Sequence, residues 1–127
     1  MSKIIKKIRK RDGRIVEFAK EKIVNAIYKA AEAVAKQEGK KSDKKIAEKL
    51  ADKVVTIMEY QFTEKEVPTV EEVQDIVEKV LIKSGHAKTA KAYILYRQQR
   101  RKIRETRDVF LDVQDTIKNI YKELIGE

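Results

Sequence analysis

Apolar residues recur at helical spacing along most of the chain. Ile23, Ile27, Ala30, Ala31 and Val34 share one face and predict a first helix from about Lys20 to Lys36, closed by the stretch that holds Gly39. Ile46, Ala47, Leu50, Ala51, Val54, Ile57 and Met58 form a second stripe, which predicts a helix from a Ser42 N-cap to about Tyr60. Phe62 to Val67 is short and β-tolerant. Pro68 cannot donate to a ladder, so this stretch reads as a brief edge strand or an extended connection. Thr69-Val70-Glu71-Glu72 has the spacing of a capping box ahead of Val73, Ile76, Val77 and Val80, and places the start of a third helix at Thr69. Ser84-Gly85 ends that helix. A fourth begins near Ala87 and buries Ala90, Tyr93 and Ile94. Val109, Phe110, Val113, Ile117, Ile120 and Leu124 mark a fifth helical stretch after Asp108.

Ahead of the helices the period changes. Asp12-Gly13 lies between two apolar-basic runs and predicts a two-residue hairpin turn, in which Gly takes a positive φ without strain. That turn pairs Arg11 with Arg14, Lys10 with Ile15 and Ile8 with Glu17, and sets Ile8, Lys10 and Ile15 on one face. Arg9, Lys10, Arg11 and Arg14 then crowd a small ribbon. Like charges across a ladder repel unless an anion lies between them, which points to a phosphate-bearing ligand. A solvated basic edge that discourages aggregation is the alternative.

Composition narrows the function classes. The chain has 127 residues, 42% of them hydrophobic and 40% charged, with the signs interspersed as on amphipathic helices. A net charge of +9 favours an anionic partner and leaves nucleic acid, free nucleotide and anionic lipid open. With no cysteine and one histidine, His86, thiolate sites, disulfides and histidine metal clusters are excluded. His86 beside Gly85 reads as a helix-start residue rather than a catalytic base. No apolar run approaches the ~20 residues that cross a bilayer, so the expected location is the cytoplasm. There is no phosphate-cradling Gly-rich Walker loop and no paired catalytic constellation, which argues against an independent enzyme.

Lys10-Arg11-Asp12-Gly13-Arg14, Phe18, Lys22-Ile23, the run from Thr69 to Glu78 and Ala90-Lys91-Ala92-Tyr93-Ile94-Leu95-Tyr96-Arg97 occur in an order that resembles the ATP-cone family. Ser84-Gly85 and Tyr93 to Arg97 look most like the cones of anaerobic, glycyl-radical ribonucleotide reductases. The resemblance implies an α+β, mainly helical fold: a four-helix bundle capped by a small hairpin or three-stranded lid, with an extra C-terminal helix. Residues 1–105 would form the nucleotide-binding domain and 106–127 a helix or linker towards a reductase body absent from the chain. It further implies an allosteric module that binds ATP or dATP, with Mg²⁺ carried by the nucleotide. The expected partners are a ribonucleotide reductase body and, under ligand control, further copies of the chain.

The same resemblance implies residue roles. Lys10 and Arg11 meet phosphates, as a cation pair on a rigid hairpin is suited to do. Ile8 and Val16 lie where the lid meets adenine. Lys22 opposes the dipole at the start of the first helix, a placement that phosphate binding would explain. Thr69 belongs to the site and is equally explained as an N-cap, while Gln74 reads ribose or base or simply faces solvent. Arg97, Arg100 and Arg101 recur at three- and four-residue spacing, as though one of them follows a polyphosphate; Arg104 reads as surface. The competing function is a nucleic-acid-binding or transcription-regulatory module using the basic hairpin. Few aromatic stacking platforms and no cysteine for a zinc ribbon weigh against it.

Overall fold

A computed structural model describes residues 5–63 and 65–125, with the side chains of 109–116 and 119–125 outside that description. Two short strands, β1 (Lys7–Arg9) and β2 (Ile15–Glu17), precede four helices: α1 (Lys20–Gln37), α2 (Lys44–Gln61), α3 (Val70–Lys83) and α4 (Ala87–Ile125). The chain divides into two compact units, Met1–Ile94 and Leu95–Glu127.

The hairpin is where local chemistry departs from the expected turn. Lys7 stands opposite Glu17, Ile8 opposite Val16 and Arg9 opposite Ile15, one residue out of the register that a two-residue turn would impose. Lys10 N–H donates to the Arg14 carbonyl at 2.8 Å and Gly13 N–H to the Lys10 carbonyl at 2.9 Å. Gly13 has φ 90°, whereas no non-glycine residue among those described has a positive φ. The loop is therefore a three-residue one, a turn through Arg11 and Asp12 closed by a left-handed glycine. Asp12 explains the choice. Its Oδ1 accepts from Arg14 N–H at 3.0 Å and its Oδ2 from Arg14 Nε at 2.6 Å, which holds Asp12 in a right-handed turn. A one-residue slip reverses every face of a strand. Ile8 and Val16 now oppose each other, while Ile15 turns outward and is 48% exposed.

The third lid strand is reduced to a single parallel bridge between Arg9 and Thr69, made by Arg9 N–H donating to the Pro68 carbonyl at 2.9 Å. Proline offers no donor in return, so pairing stops there. Pro68 itself is fully buried.

Helix boundaries follow their caps. Asp43, not Ser42, caps α2: its extended backbone lets the carboxylate accept from Lys45 N–H at 2.9 Å. Thr69 and Glu72 form the expected capping box of α3. At the other end of α3, Gly85 takes φ 82° while its N–H meets the Ile82 carbonyl and His86 N–H meets that of Leu81, the paired bonds of a Schellman turn. That turn delivers the chain directly into α4. The fifth helix expected after Asp108 is instead the continuation of α4, which runs unbroken for 39 residues. No Gly or Pro interrupts it, and its middle is rich in Arg, Lys, Gln and Glu, all good helix formers.

Within Met1–Ile94, α1 packs on α2 and α2 on α3. Val24, Ile27, Val54, Met58 and Leu81 are fully enclosed, and Ala90 and Tyr93 bring the first two turns of α4 into the same core. Lys20–Asp52 and Lys88–Glu38 ion pairs, each 2.7 Å, bridge α1 to α2 and to the start of α4. Lys88 holds the Glu38 carboxyl below its usual pKa and is itself raised. Exposed pairs of this kind contribute little to stability.

Two outcomes follow for the fold. Thr69→Ala should lose about 1 kcal/mol of unfolding free energy, measured by urea denaturation, because it removes the α3 cap. Asp12 is held below its usual pKa first by the Arg14 backbone N–H and then by its side chain. A depressed carboxyl stabilises the folded loop above its unfolded pKa, and that contribution disappears as pH falls through the folded value. Titration followed by NMR at the Gly13 and Arg14 amides should therefore show a midpoint below the ordinary aspartate range. Arg14→Ala, which keeps the backbone donor, should move it only part of the way back.

Candidate functional site

The corrected register gathers the hairpin residues that the sequence singled out. Beneath the hairpin lies a cavity of about 270 Å³, lined by Ile8, Lys10 and Val16 from the hairpin, Lys22, Ile23 and Ala26 from α1, and Val70, Gln74 and Val77 from α3. Phe18, Ala19, Val73 and Tyr93 complete its apolar walls and Glu17 its rim. Five of the expected site residues, Ile8, Lys10, Val16, Lys22 and Gln74, thus face one space. Under the expected register Val16 would have lain on the opposite face from Ile8 and Lys10.

Arg11 stands beside this group. Its Nη2 lies 3.4 Å from the Gln74 Oε1, a long hydrogen bond between residues 63 apart in the chain, and its Nη1 lies 3.6 Å from the Glu71 carboxylate. The first turn of α3 is therefore in reach of the hairpin loop. Thr69 holds that turn in place: its hydroxyl donates to Glu72 Oε1 at 3.0 Å and accepts from Glu72 N–H at 3.1 Å, while its own N–H donates to the same carboxylate. Both functions of the hydroxyl serve the cap.

Arg97, Arg100 and Arg101 belong to the unit Leu95–Glu127, apart from the unit that contains the cavity. Arg101 Nε lies 3.5 Å from Glu105 one helical turn on. Among the described residues, no three His, Asp or Glu side chains gather as a metal site, and no helix is long and apolar enough to cross a membrane.

Sequence reasoning singled out Lys10 and Lys22 among the lining residues and missed most of the walls. Tyr93, Val73 and Val77 read as ordinary core residues, which by burial they are. Phe18 carried a signal, because it directly follows β2 and its N–H donates to the Lys6 carbonyl at 2.8 Å. Glu71 read only as part of the capping sequence, and nothing local showed that it would meet Arg11. Apolar walls with Lys10 and Lys22 among them suit a flat, weakly polar body that carries an anionic tail.

Comparison with known proteins agrees with this chemistry. The ATP cone domain family matches residues 6–102, from the hairpin into α4. A vitamin B12-dependent ribonucleoside-diphosphate reductase of Thermoplasma acidophilum is 48% identical over 120 residues, 91% of this chain and 14% of that protein. The ribonucleoside-diphosphate reductase alpha subunits of Chlamydia muridarum and Chlamydia trachomatis are 37% identical over 101 residues and 32% over 121. These cover 77% and 93% of this chain, but only 10% and 12% of theirs. The chain thus spans a small fraction of each relative's length. On the length of the match and the hairpin and helix order it contains, the chain belongs to the ATP-cone family, a regulatory module of ribonucleotide reductases.

Proposed function

We propose that the domain binds ATP and dATP in the cavity beneath the hairpin and thereby sets the activity or the association state of a ribonucleotide reductase body. One observation carries the assignment of the site: Ile8, Lys10, Val16, Lys22 and Gln74 line one space, and Arg11 is bonded to Gln74 at its edge. Whole-ligand pockets usually measure about 300–1,000 Å³, so a cavity of about 270 Å³ fits a nucleoside better than an entire triphosphate. Ile8 and Val16 then pack on the base and Gln74 reads base or ribose. Lys10, Lys22 and Arg11 take the phosphates, with Mg²⁺ supplied by the nucleotide. Thr69 acts by fixing the first turn of α3.

Regulation requires that ATP and dATP differ in affinity for two states of the domain. In this reading the states differ in how the hairpin closes on α3, and the readout is a change in association with the reductase body or with other copies of the chain. The body itself is of the vitamin B12-dependent type, a choice supported by the 48% identity over 120 residues. The glycyl-radical likeness rests on the shorter Ser84-Gly85 and Tyr93–Arg97 stretches. No structural observation favours the nucleic-acid alternative.

Calorimetric titration tests the site. ATP and dATP should bind more tightly than GTP and CTP at near-physiological salt; equal binding of all four would reduce the site to a basic surface. Lys10→Ala and Arg11→Ala should each weaken ATP by roughly tenfold to a hundredfold, since a charge-assisted hydrogen bond contributes about 1.5–3 kcal/mol. Unchanged affinity in variants with a native circular dichroism spectrum would remove those residues from the site.

A further inference from the structure

The unit Leu95–Glu127 contains a single helical element, the run of α4 to Ile125. Three large side chains of this run stand seven residues apart or at multiples of seven and are open to solvent: Tyr96, Ile103 and Ile117, 41%, 60% and 62% exposed. In the sequence Phe110 and Leu124 fall on the same repeat. A stripe with this period keeps to one side of a helix and is matched by a second helix carrying the same period. Charge divides the run in the middle. Between Leu95 and Arg107 the sequence holds one acid, Glu105, beside basic residues that include Arg100, Lys102 and Arg107. From Asp108 onward, Asp112, Asp115 and Glu123 outweigh Lys118 and Lys122.

We infer that this segment pairs with the same segment of a second copy of the chain, side by side and antiparallel. Parallel pairing would set the basic halves against each other and the acidic halves likewise. Antiparallel pairing sets each basic half along an acidic one, which is the complementarity that fixes register and orientation. Centred near Phe110, it brings Ile103 of one copy beside Ile117 of the other. It also opposes the two helix dipoles and places cations near the helix end that carries Glu123, an acid the dipole alone disfavours there. Gln99 and Thr106 interrupt the apolar seam between the repeat positions, so the pair is a weak one, in the micromolar range. This inference does not depend on the nucleotide site. Failure to bind ATP would leave it standing.

The chain has no cysteine of its own, which allows the orientation to be read directly. Full-length Ile103→Cys and Ile117→Cys chains are prepared separately, then oxidised mildly alone and mixed. The mixture should form a disulfide-linked dimer about tenfold faster than either variant alone. The unsubstituted chain should approach twice its monomer mass in sedimentation equilibrium at roughly 100 µM, and raising the salt should shift it back. A monomer at that concentration overturns the pairing and gives the stripe to another occupant. Either variant linking to itself as fast as the mixture also overturns it, because the seam would then be parallel or unspecific. So does a dimer in which none of the three samples cross-links, since another surface would then carry the association.

Discussion

A main-chain hydrogen bond from Arg9 N–H to the Pro68 carbonyl joins the hairpin to the start of α3. The site depends on it. The hairpin is too short to be stable alone, because two three-residue strands bury almost nothing against each other. Its order comes from lying on the helices, where Ile8 and Phe18 pack on the core. Pro68 is a suitable anchor because it is fully buried and precedes a capped helix, so the acceptor is held by residues on both sides. The same residue limits the attachment. Lacking a donor, it cannot extend the bridge into a strand, and beyond it the hairpin meets α3 through the side-chain contacts of Arg11 with Glu71 and Gln74.

Much of the helical part of the fold was legible because α3 announces both its ends and apolar stripes mark α1 and α2. The capping box at Thr69 and Glu72, the Schellman glycine at Gly85 and the apolar stripes of α1 to α3 are local signals, and local physics decides them. Ser42 failed as a cap because its neighbour Asp43 is the stronger acceptor at the next position, a competition that propensity alone does not resolve. The break expected after Asp108 failed for the opposite reason. A new apolar stripe was read as a new helix, although no residue there can stop the old one.

The hairpin register shows the limit most clearly. Asp-Gly is compatible with both a two-residue and a three-residue loop, and the choice turned on whether the Asp12 carboxylate would capture Arg14. That one interaction decides which face Val16 occupies, and hence the composition of the cavity roof. Cavity-lining residues that carry charge, such as Lys10 and Lys22, were readable from sequence because a cation on a small ribbon or at a helix start is conspicuous. Walls such as Val77 and Tyr93 were not, since a buried apolar residue looks the same whether it faces another core residue or a cavity.

The Arg11–Glu71 contact has a consequence for selectivity by ligand valence. A guanidinium that already has a carboxylate 3.6 Å away gains little from exchanging it for another single negative charge. Chloride, or a singly charged organic acid, therefore competes at a disadvantage with a group that is covalently present and needs no recruitment from solution. A chain of phosphates brings several charges and several acceptor oxygens at once. If Arg11 takes phosphate as proposed, Glu71 is the carboxylate that the ligand displaces, an exchange that favours a chain of phosphates over a single charge.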